Sequence, residues 1–192
     1  ARPCPWVGDD PLMLRYHDEE WGVPLFDPRR TFEFLLLETM QAGLSWRVVL
    51  HKREALRDAF AGFDPERVAA FGDADVATML ADARLIRHRG KLEAAIANAR
   101  AFLALEEGPG FVPHAWSFVG GAPLPHRYRR LHEVPSVTPE SEAFAGDLRR
   151  RGFRFVGPTV LYAHMQATGM VNDHLLSCPR HAAVARLAGA RG

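Results

Sequence analysis

Apolar residues at helical spacing recur through most of this 192-residue chain, and this pattern constrains the fold more than any other feature. The segment 90–106 is the clearest case, because Leu92, Ile96, Ala99 and Leu103 fall on one face of a helix. No two segments alternate like paired strands, so the pattern predicts an all-α fold. Further helices are predicted at 31–42 with Thr31 as N-cap, at 46–60, after Asp64-Pro65, from Ala74 with Asp73 as N-cap, at 138–151 and at 158–169. The segment 108–125 is predicted to be a loop apart from the apolar residues 116–119.

The charges of the chain nearly cancel, since 24 basic side chains face 23 acidic ones and leave a formal net charge of +1. This balance excludes a histone-like or polybasic protein. Basic residues nevertheless cluster at 84–91, 127–130 and 149–154, while acidic residues gather between positions 9 and 20. A segregated basic face is what binding to nucleic-acid phosphates requires. Each cluster alone is equally compatible with an ordinary solvated helix end, so both interpretations stay open.

Two cysteines and two histidines near opposite ends of the chain are candidate metal ligands: Cys4, His17, His174 and Cys178. The second pair has i, i+4 spacing, which places both side chains on one face of a helix. Two cysteines and two histidines form a standard tetrahedral zinc set that leaves no open position, so such a metal would be structural. Buried free thiols, a capping histidine and a Cys4–Cys178 disulfide remain alternatives.

No apolar run approaches the ~20 residues that a membrane-spanning helix needs, and no signal-peptide pattern opens the chain. We therefore expect a cytoplasmic protein with no membrane partner.

The segment 148–174 has the pattern of two helices joined by a short hairpin. A basic helix ends at Gly152, and Gly157-Pro158 precedes the next helix. Free N–H groups at a helix start favour an anion, and Arg151 and Arg154 lie nearby in the sequence. The hairpin is therefore a candidate phosphate-binding element, although two helices that merely pack together would have the same pattern.

Several segments together resemble, in order and spacing, the bacterial 3-methyladenine DNA glycosylase I family. They span almost the whole chain, from about residue 2 to residue 178. Besides Glu38, the matching segments are 4–6, 16–24, 41–46, 86–91, 116–119, 151–157 and 171–174.

The resemblance implies an all-α, helix-hairpin-helix glycosylase-like bundle in which Cys4, His17, His174 and Cys178 bind one structural Zn²⁺. The zinc would join the N- and C-terminal segments. It also implies a monomer with a single catalytic domain over 1–192, in two lobes. The ranges 1–30 and 170–180 would form the zinc-tied part, and 181–192 is expected to be a flexible tail.

The family's activity would be hydrolysis of the N-glycosidic bond of 3-methyladenine in alkylated double-stranded DNA, after the base is flipped into a pocket. The resemblance assigns Glu38 and Tyr16 to catalysis. Other expected pocket residues are aromatic or depart from the family pattern: Trp6, Trp21, Trp46, Met13 and His164. Without the resemblance, each tryptophan is equally an ordinary core residue, and Glu38 is compatible with a solvated helix face.

Monofunctional cleavage that leaves an abasic site is expected, because a Schiff base needs a lysine. Only Lys52 and Lys91 exist, and neither falls near the hairpin. Asn172 occupies the position where most helix-hairpin-helix glycosylases have an aspartate, and Asp173 is interpreted as an N-cap. An amide cannot act as a general base, so the enzyme is expected to work without one there.

The expected DNA contacts come from turns and basic segments: Gly43, Leu44, Arg87, Arg89, Lys91, Arg151, Arg154 and Gly157. Leu44 is a candidate wedge for the space that a flipped base leaves, or alternatively packs inward at the start of the next helix. Two other classes of protein compete with the glycosylase interpretation. One is a zinc-stabilised DNA-binding module without catalysis, and the other is a metallohydrolase, which would need an open metal position.

Overall fold

The computed structural model of the chain describes residues 4–189, and most of them are helical. The only strands in that range are two-residue segments, β1 (Leu124–Pro125) and β2 (Val171–Asn172), which pair in parallel. The all-α prediction is confirmed. The helices are α1 (Pro11–Glu19), α2 (Pro28–Gln41), α3 (Trp46–His51), α4 (Arg53–Ala59), α5 (Pro65–Ala69), α6 (Asp73–Ala81), α7 (Arg89–Glu106), α8 (Phe111–Ser117), α9 (Pro139–Arg150), α10 (Pro158–Ala167) and α11 (Pro179–Gly189).

Three of the helices begin at an aspartate followed by a proline. The carboxylates of Asp10, Asp27 and Asp64 accept hydrogen bonds from backbone N–H groups in the first turns of α1, α2 and α5. Proline suits the next position because its missing N–H would have no helical partner there. The prediction that Thr31 caps α2 is therefore wrong: the helix starts three residues earlier, and Thr31 is buried inside it.

Several predicted boundaries also differ from the structure. The range 46–60 forms two helices that meet at Lys52, and the predicted loop 108–125 contains α8, whose apolar residues Phe111 and Trp116 are buried. Helix α6 begins at Asp73, with Gly72 as N-cap, and the carboxylate of Asp75 accepts a hydrogen bond from the Gly72 N–H.

The segment expected to be a flexible tail forms helix α11 as far as residue 189. Its Val184 is buried, and His181 Nε2 lies 2.8 Å from the carbonyl oxygen of His126. Alanine-rich sequence favours a helix once such contacts hold it in place. The last part of the predicted tail, 190–192, lies outside the described residues.

Two clusters of buried apolar side chains form the core, and α2 contributes to both. Phe32, Leu36 and Met40 belong to the larger cluster with residues of α7 and α10, whereas Phe34 belongs to a smaller cluster with Tyr16. Because its side chains face both clusters, ten consecutive residues of α2, 31–40, are buried. Glu38 is one of these ten residues.

The end of α10 lies directly against the segment that follows α1. The Gly22 N–H donates to the Gln166 carbonyl, and the Leu25 N–H donates to the Thr168 carbonyl, both at 3.0 Å. At Gly169, a Cβ atom would come within 2.4 Å of the Val23 backbone, so only glycine allows this approach. The contact brings residues 16–24 beside residues 170–178. No helix within residues 4–189 is long and apolar enough to cross a membrane.

Candidate active site and metal-ligand cluster

The four candidate metal ligands lie together although residues 4 and 178 are at opposite ends of the chain. Cys4, His17, His174 and Cys178 are all buried, and their ligand atoms lie within 4.8 Å of one another. A tetrahedral zinc with these ligands would set S···N separations of about 3.5 Å and an N···N separation of about 3.3 Å. The observed S···N distances are 3.6–3.9 Å, and His174 Nδ1 lies 3.1 Å from His17 Nε2. The donor set therefore fits a metal ion.

Hydrogen bonds on the outer side of each imidazole orient the cluster. His17 Nδ1 lies 2.7 Å from an oxygen of Asp18, and His174 Nε2 lies 2.9 Å from the Trp21 carbonyl oxygen. Each ring therefore directs its other nitrogen to the centre, as second partners do for metal-bound histidines. Burial lowers the pKa of His174 to about 4 and also lowers that of His17, which favours the neutral form that binds metals.

A pocket of about 230 Å³ lies beside this cluster, and aromatic side chains form much of its wall. Trp6 and Trp21 meet edge to face with ring centroids 4.9 Å apart, and Trp21 also meets the His174 ring at 4.6 Å. On another part of the wall, the Tyr16 and Trp46 rings lie 5.1 Å apart. The metal-ligand cluster thus supports one wall of the pocket.

Glu38 on α2 lines the pocket with a carboxylate that has an unusual environment. Its Oε2 is buried and has no hydrogen-bond partner among the described residues. Burial raises the pKa of Glu38 to about 8. An unpaired buried acceptor is costly unless a ligand provides its partner, so the carboxylate marks the position of a polar group on the ligand.

Two more polar groups belong to the same wall. The indole N–H of Trp46 is also buried without an acceptor within residues 4–189. Burial, with a further contribution from the charge of Glu38, raises the pKa of Tyr16 well above its usual value, so the phenol stays protonated. The pocket therefore combines flat apolar walls with a few polar groups, as small-molecule sites do.

The structure places five predicted site residues in the pocket wall and two outside it. Glu38, Tyr16, Trp6, Trp21 and Trp46 all line the pocket. Met13 and His164 are not among the described lining residues: Met13 belongs to the core cluster behind Tyr16, and His164 lies between Phe111 and Phe144. Helix geometry explains His164, because the α10 residues that face the pocket are Ala163 and Gln166, which lie on another side of the helix.

A second hollow connects the pocket to the turn after α2. Glu38, Gln41 and Ala163 line both spaces, and the second is also bounded by Gly43, Leu44 and the start of α10 at Thr159. Leu44 is 41% exposed and so does not pack inward. The first turn of α10 has no side-chain cap at Gly157. The hollow thus lies between Leu44, which is the candidate wedge, and the start of α10, whose first N–H groups have no side-chain cap.

Lys91 is buried, and this position does not fit the prediction that its side chain contacts DNA. Its side chain is buried, and its ammonium group donates hydrogen bonds to the carbonyl oxygens of Met40, at 2.8 Å, and Ala42. These carbonyls belong to the end of α2, where a cation is favourable. Lys91 therefore holds the end of the Glu38 helix and the start of the Leu44 turn. Direct contact between its ammonium and a phosphate is excluded by this burial.

The predicted DNA-contact arginines are exposed but differ in their partners. Arg151 pairs with Asp147 at 2.8 Å, and Arg89 lies 3.5 Å from Glu93. Within residues 4–189, the guanidinium groups of Arg87 and Arg154 pair with no carboxylate. The backbone of Arg154 is fixed by Asn98, a buried α7 residue that bonds both its N–H and its carbonyl.

Sequence reasoning missed several residues of the pocket. Asp173 is not an N-cap: its carboxylate accepts hydrogen bonds from Tyr162 at 2.6 Å and Gln166 at 2.8 Å and pairs with His126 at 2.6 Å. The remaining lining residues carry no chemical signature that a sequence pattern could reveal. They are Gln41, Leu131, Val134, Ala163, Gln166 and Leu175.

Comparison with known proteins adds independent findings. The chain matches the methyladenine glycosylase family over residues 6–181. It is 50% identical over 176 residues to DNA-3-methyladenine glycosylase 1 of Escherichia coli (strain K12), which covers 91% of this chain and 94% of that protein.

Two solved structures superpose closely on the fold. A crystal structure of 3-methyladenine DNA glycosylase I has a TM-score of 0.91 at 50% identity, over 93% of this chain and 98% of that one. A crystal structure of a variant of 3-methyladenine DNA glycosylase I in complex with 3-methyladenine has a TM-score of 0.89 at 34% identity, over 92% of this chain and 95% of that one.

A helical bundle that encloses an aromatic pocket around an unpaired buried acid is a protein built to bind a flat ligand carrying a hydrogen-bond donor. Its family follows from the sequence match over 6–181. The chain belongs to the methyladenine glycosylases.

Proposed function

We propose that this protein is a DNA-3-methyladenine glycosylase that hydrolyses the N-glycosidic bond of 3-methyladenine in alkylated double-stranded DNA. The observation that carries the proposal is the unpaired Glu38 carboxylate inside an aromatic pocket. A base flipped from the duplex would stack on the rings, and each stacking contact contributes about 1–3 kcal/mol. The E. coli relative is named for this activity.

The charge of the lesion gives the pocket its selectivity in this proposal. Adenine methylated at N3 is cationic in DNA, so the faces of Trp46 and Tyr16 attract it more strongly than they attract adenine. Glu38 would accept a hydrogen bond from the exocyclic amine, and its negative charge favours the same cation. A non-catalytic DNA-binding module needs neither a buried acid nor an aromatic pocket.

Glu38 acts in recognition and orientation rather than as a general base. As the bond breaks, positive charge moves from the base to the sugar, and the base leaves neutral. A group that prefers the charged base stabilises the ground state and does not itself lower the barrier. The weakened bond of the methylated nucleoside reduces the catalysis required, and nearby phosphates and a positioned water can stabilise the sugar cation.

The product is an abasic site, without strand cleavage by a Schiff base. Lys91 is buried against the end of α2, and Lys52 donates to the Arg84 carbonyl at 2.7 Å. Neither lysine is among the described residues that line the pocket. Borohydride added during turnover should trap no covalent protein–DNA adduct, and detection of one would contradict this part of the proposal.

Release of methylated bases from alkylated duplex DNA tests the main proposal. We expect wild type to release 3-methyladenine and Glu38→Gln to have a kcat/KM about ten- to hundredfold lower. The hydrogen bond that orients the exocyclic amine persists in the transition state, and a hydrogen bond to a charged group contributes about 1.5–3 kcal/mol. Glu54→Gln is the matched control, since Glu54 is exposed on α4 and its one ion pair within residues 4–189 is with Arg57. Absence of release by wild type would refute the proposal.

The four-ligand cluster is proposed to hold one structural Zn²⁺. When bound, the ion would supply a cross-link between the two ends of the chain, and four protein ligands leave no position for a substrate. Purified protein should contain one zinc per chain, and His17→Asn should lose the metal and unfold at a lower temperature. The exposed histidine variant His132→Asn is the control, and equal metal content in both variants would contradict the assignment.

The exposed Leu44 at the turn after α2 is proposed to fill the space left by the flipped base. The hollow that joins Gly43 and Leu44 to the start of α10 supports this, because the duplex would lie across it beside the pocket. The uncapped N–H groups after Gly157, with Arg87, Arg89, Arg151 and Arg154, would contact phosphates.

A further inference from the structure

The three basic clusters of the sequence differ in how many of their cationic side chains are exposed and free of ion pairs within the described structure. In the cluster 84–91, Arg84 and Arg89 pair with carboxylates and Lys91 is buried. In the cluster 149–154, Arg150 and Arg151 both pair with Asp147. Arg87, Arg149 and Arg154 are exposed and make no described ion pair, so each of these two clusters mixes paired and unpaired cations.

The cluster 127–130 is different. Arg127, Arg129 and Arg130 are exposed, and the described part of the chain places no carboxylate within ion-pair distance of any of them. Three exposed cations in four residues, none of them in a described ion pair, form the most available basic site among the three clusters. The Glu133 carboxylate lies near enough to Arg130 for the two charges to attract each other, and the other two arginines add further positive charge. Such a site attracts a polyanion, because released counterions make each new phosphate contact favourable.

This cluster belongs to a segment that reaches the pocket, 127–134, which we call the arginine arm. Leu131 and Val134 of the arm line the pocket, and Leu131 is 44% exposed, so the arm lies where the pocket meets the surface. Leu131 and Val134 do not line the hollow that carries Leu44 within the described structure. The arm and the Leu44 turn therefore border different parts of the site.

The arm is held in place by its own hydrogen bonds. Its one carboxylate, Glu133, accepts hydrogen bonds from the backbone N–H groups of Arg129 and Arg130 at 2.8 and 3.2 Å. The Leu176 N–H donates to the Tyr128 carbonyl at 2.9 Å, and His126 pairs with Asp173 just before the arm begins. A turn fixed in this way presents its arginines with little ordering cost on binding.

We propose that the arginine arm binds the DNA phosphates next to the flipped nucleotide. This inference rests on the proposed glycosylase function. It adds a second DNA-binding surface, separate from the hairpin between α9 and α10. Arg129 and Arg130 directly precede Leu131, so their contacts fall beside the base that occupies the pocket. The arm then acts on duplex affinity and leaves recognition of the isolated base unchanged.

Binding to a duplex with one tetrahydrofuran abasic analogue, measured at several salt concentrations, tests the arm. Arg129→Ala/Arg130→Ala should bind about tenfold or more weakly at low salt, and the slope of log K against log salt should shrink by about two. Arg67→Ala/Arg186→Ala is the matched control, since it removes the same charge from exposed arginines that make no described ion pair. The control should keep nearly the wild-type slope.

A second measurement separates DNA binding from damage to the pocket. Binding of free 3-methyladenine, followed by tryptophan fluorescence, should be equal in wild type and Arg129→Ala/Arg130→Ala. The proposal is overturned if the arm variant and the control lose equal DNA affinity, or if the arm variant loses free-base binding in proportion. Failure of the glycosylase function would look different, because wild type itself would then release no 3-methyladenine.

Discussion

Glu38 on α2 and His164 on α10 are two buried polar side chains that have atoms without hydrogen-bond partners among the described residues. Glu38 Oε2 and both ring nitrogens of His164 have no hydrogen-bond partner within residues 4–189. Burial moves both groups toward their neutral forms, raising the pKa of Glu38 to about 8 and lowering that of His164 to about 3. By burial and pairing alone, the two side chains cannot be told apart.

The space beside each side chain distinguishes them. Glu38 opens onto the pocket, whereas His164 packs between Phe111 and Phe144, with ring centroids 6.3 and 6.4 Å away. A buried polar group becomes a binding group only where a ligand can reach it. We therefore expect substitution of His164 to change the stability of the core, and substitution of Glu38 to change both stability and ligand binding.

The largest expected effect is on how stability depends on pH at Glu38. Its folded pKa is raised, so the folded state holds a proton that the unfolded state has lost between about pH 4.5 and pH 8. Wild type should therefore lose about 1.4 kcal/mol of unfolding free energy per pH unit in this range. Relative to wild type, Glu38→Gln should gain on the order of 3 kcal/mol between pH 5 and pH 9. If the unfolding free energies of wild type and Glu38→Gln differ by the same amount at every pH, the raised pKa of a buried Glu38 is contradicted.

Activity should rise with pH through the same ionisation. If the Glu38 carboxylate must be charged to hold the cationic base, kcat/KM for 3-methyladenine release should increase about fiftyfold from pH 6 to pH 8 and level off above about pH 9. Glu38→Gln should lose this inflection. A wild-type rate that falls over the range would show that the protonated acid is the active form.

Lys91 is a third buried polar side chain, and unlike Glu38 and His164 it has hydrogen-bond partners for its polar group. Lys91→Met should reduce the unfolding free energy by about 2 kcal/mol, because the Met40 and Ala42 carbonyls lose their donor. Release from DNA should fall severalfold through displacement of the Leu44 turn, while free-base binding persists. Lys52→Met is the control, since its hydrogen bond to Arg84 is exposed. Equal losses in both variants would remove any special role for Lys91.

The smallest expected effect comes from His164→Leu. The histidine has a folded pKa of about 3 against an ordinary value of 6.5, so wild-type stability is lost as pH falls below 6.5. The leucine variant should be more stable by about 2 kcal/mol at pH 5 and by less than about 1 kcal/mol at pH 7. Its rate of base release at pH 7 should stay within about twofold of wild type. A large loss of activity would place His164 in the site after all.

Much of the local structure was predictable because its causes are local. The long periodic segment of α7 and the Asp64-Pro65 start of α5 were predicted correctly, since periodicity and capping depend on residues a few positions apart. The prediction places the start of α2 at Thr31, whereas the helix begins at Pro28 with Asp27 as N-cap. Helix α8 was missed because glycine and proline around it indicated a loop.

The candidate site also contains features that could be predicted from the sequence and features that could not. Residue types and spacing indicated a possible metal-ligand set, because thiols and imidazoles have chemistry that a sequence displays. The aromatic walls and Glu38 were expected only from the family resemblance. The roles of Met13 and Lys91 were misjudged, and Asp173 was interpreted as a cap. Nothing in a sequence shows whether a side chain faces a pocket, the core or a helix end.

The sequence by itself determined the helices, the donor set for a metal and the chemistry available to a flat, cationic ligand. Only the tertiary structure decided which polar groups are buried and which are paired. Lys91 meets Met40 across 51 positions of the chain, and His174 meets His17 across 157. Helices form from interactions between near neighbours, whereas burial and pairing arise from contacts between distant segments. The unpaired Glu38 and the unpaired arginine arm are therefore properties of the folded molecule.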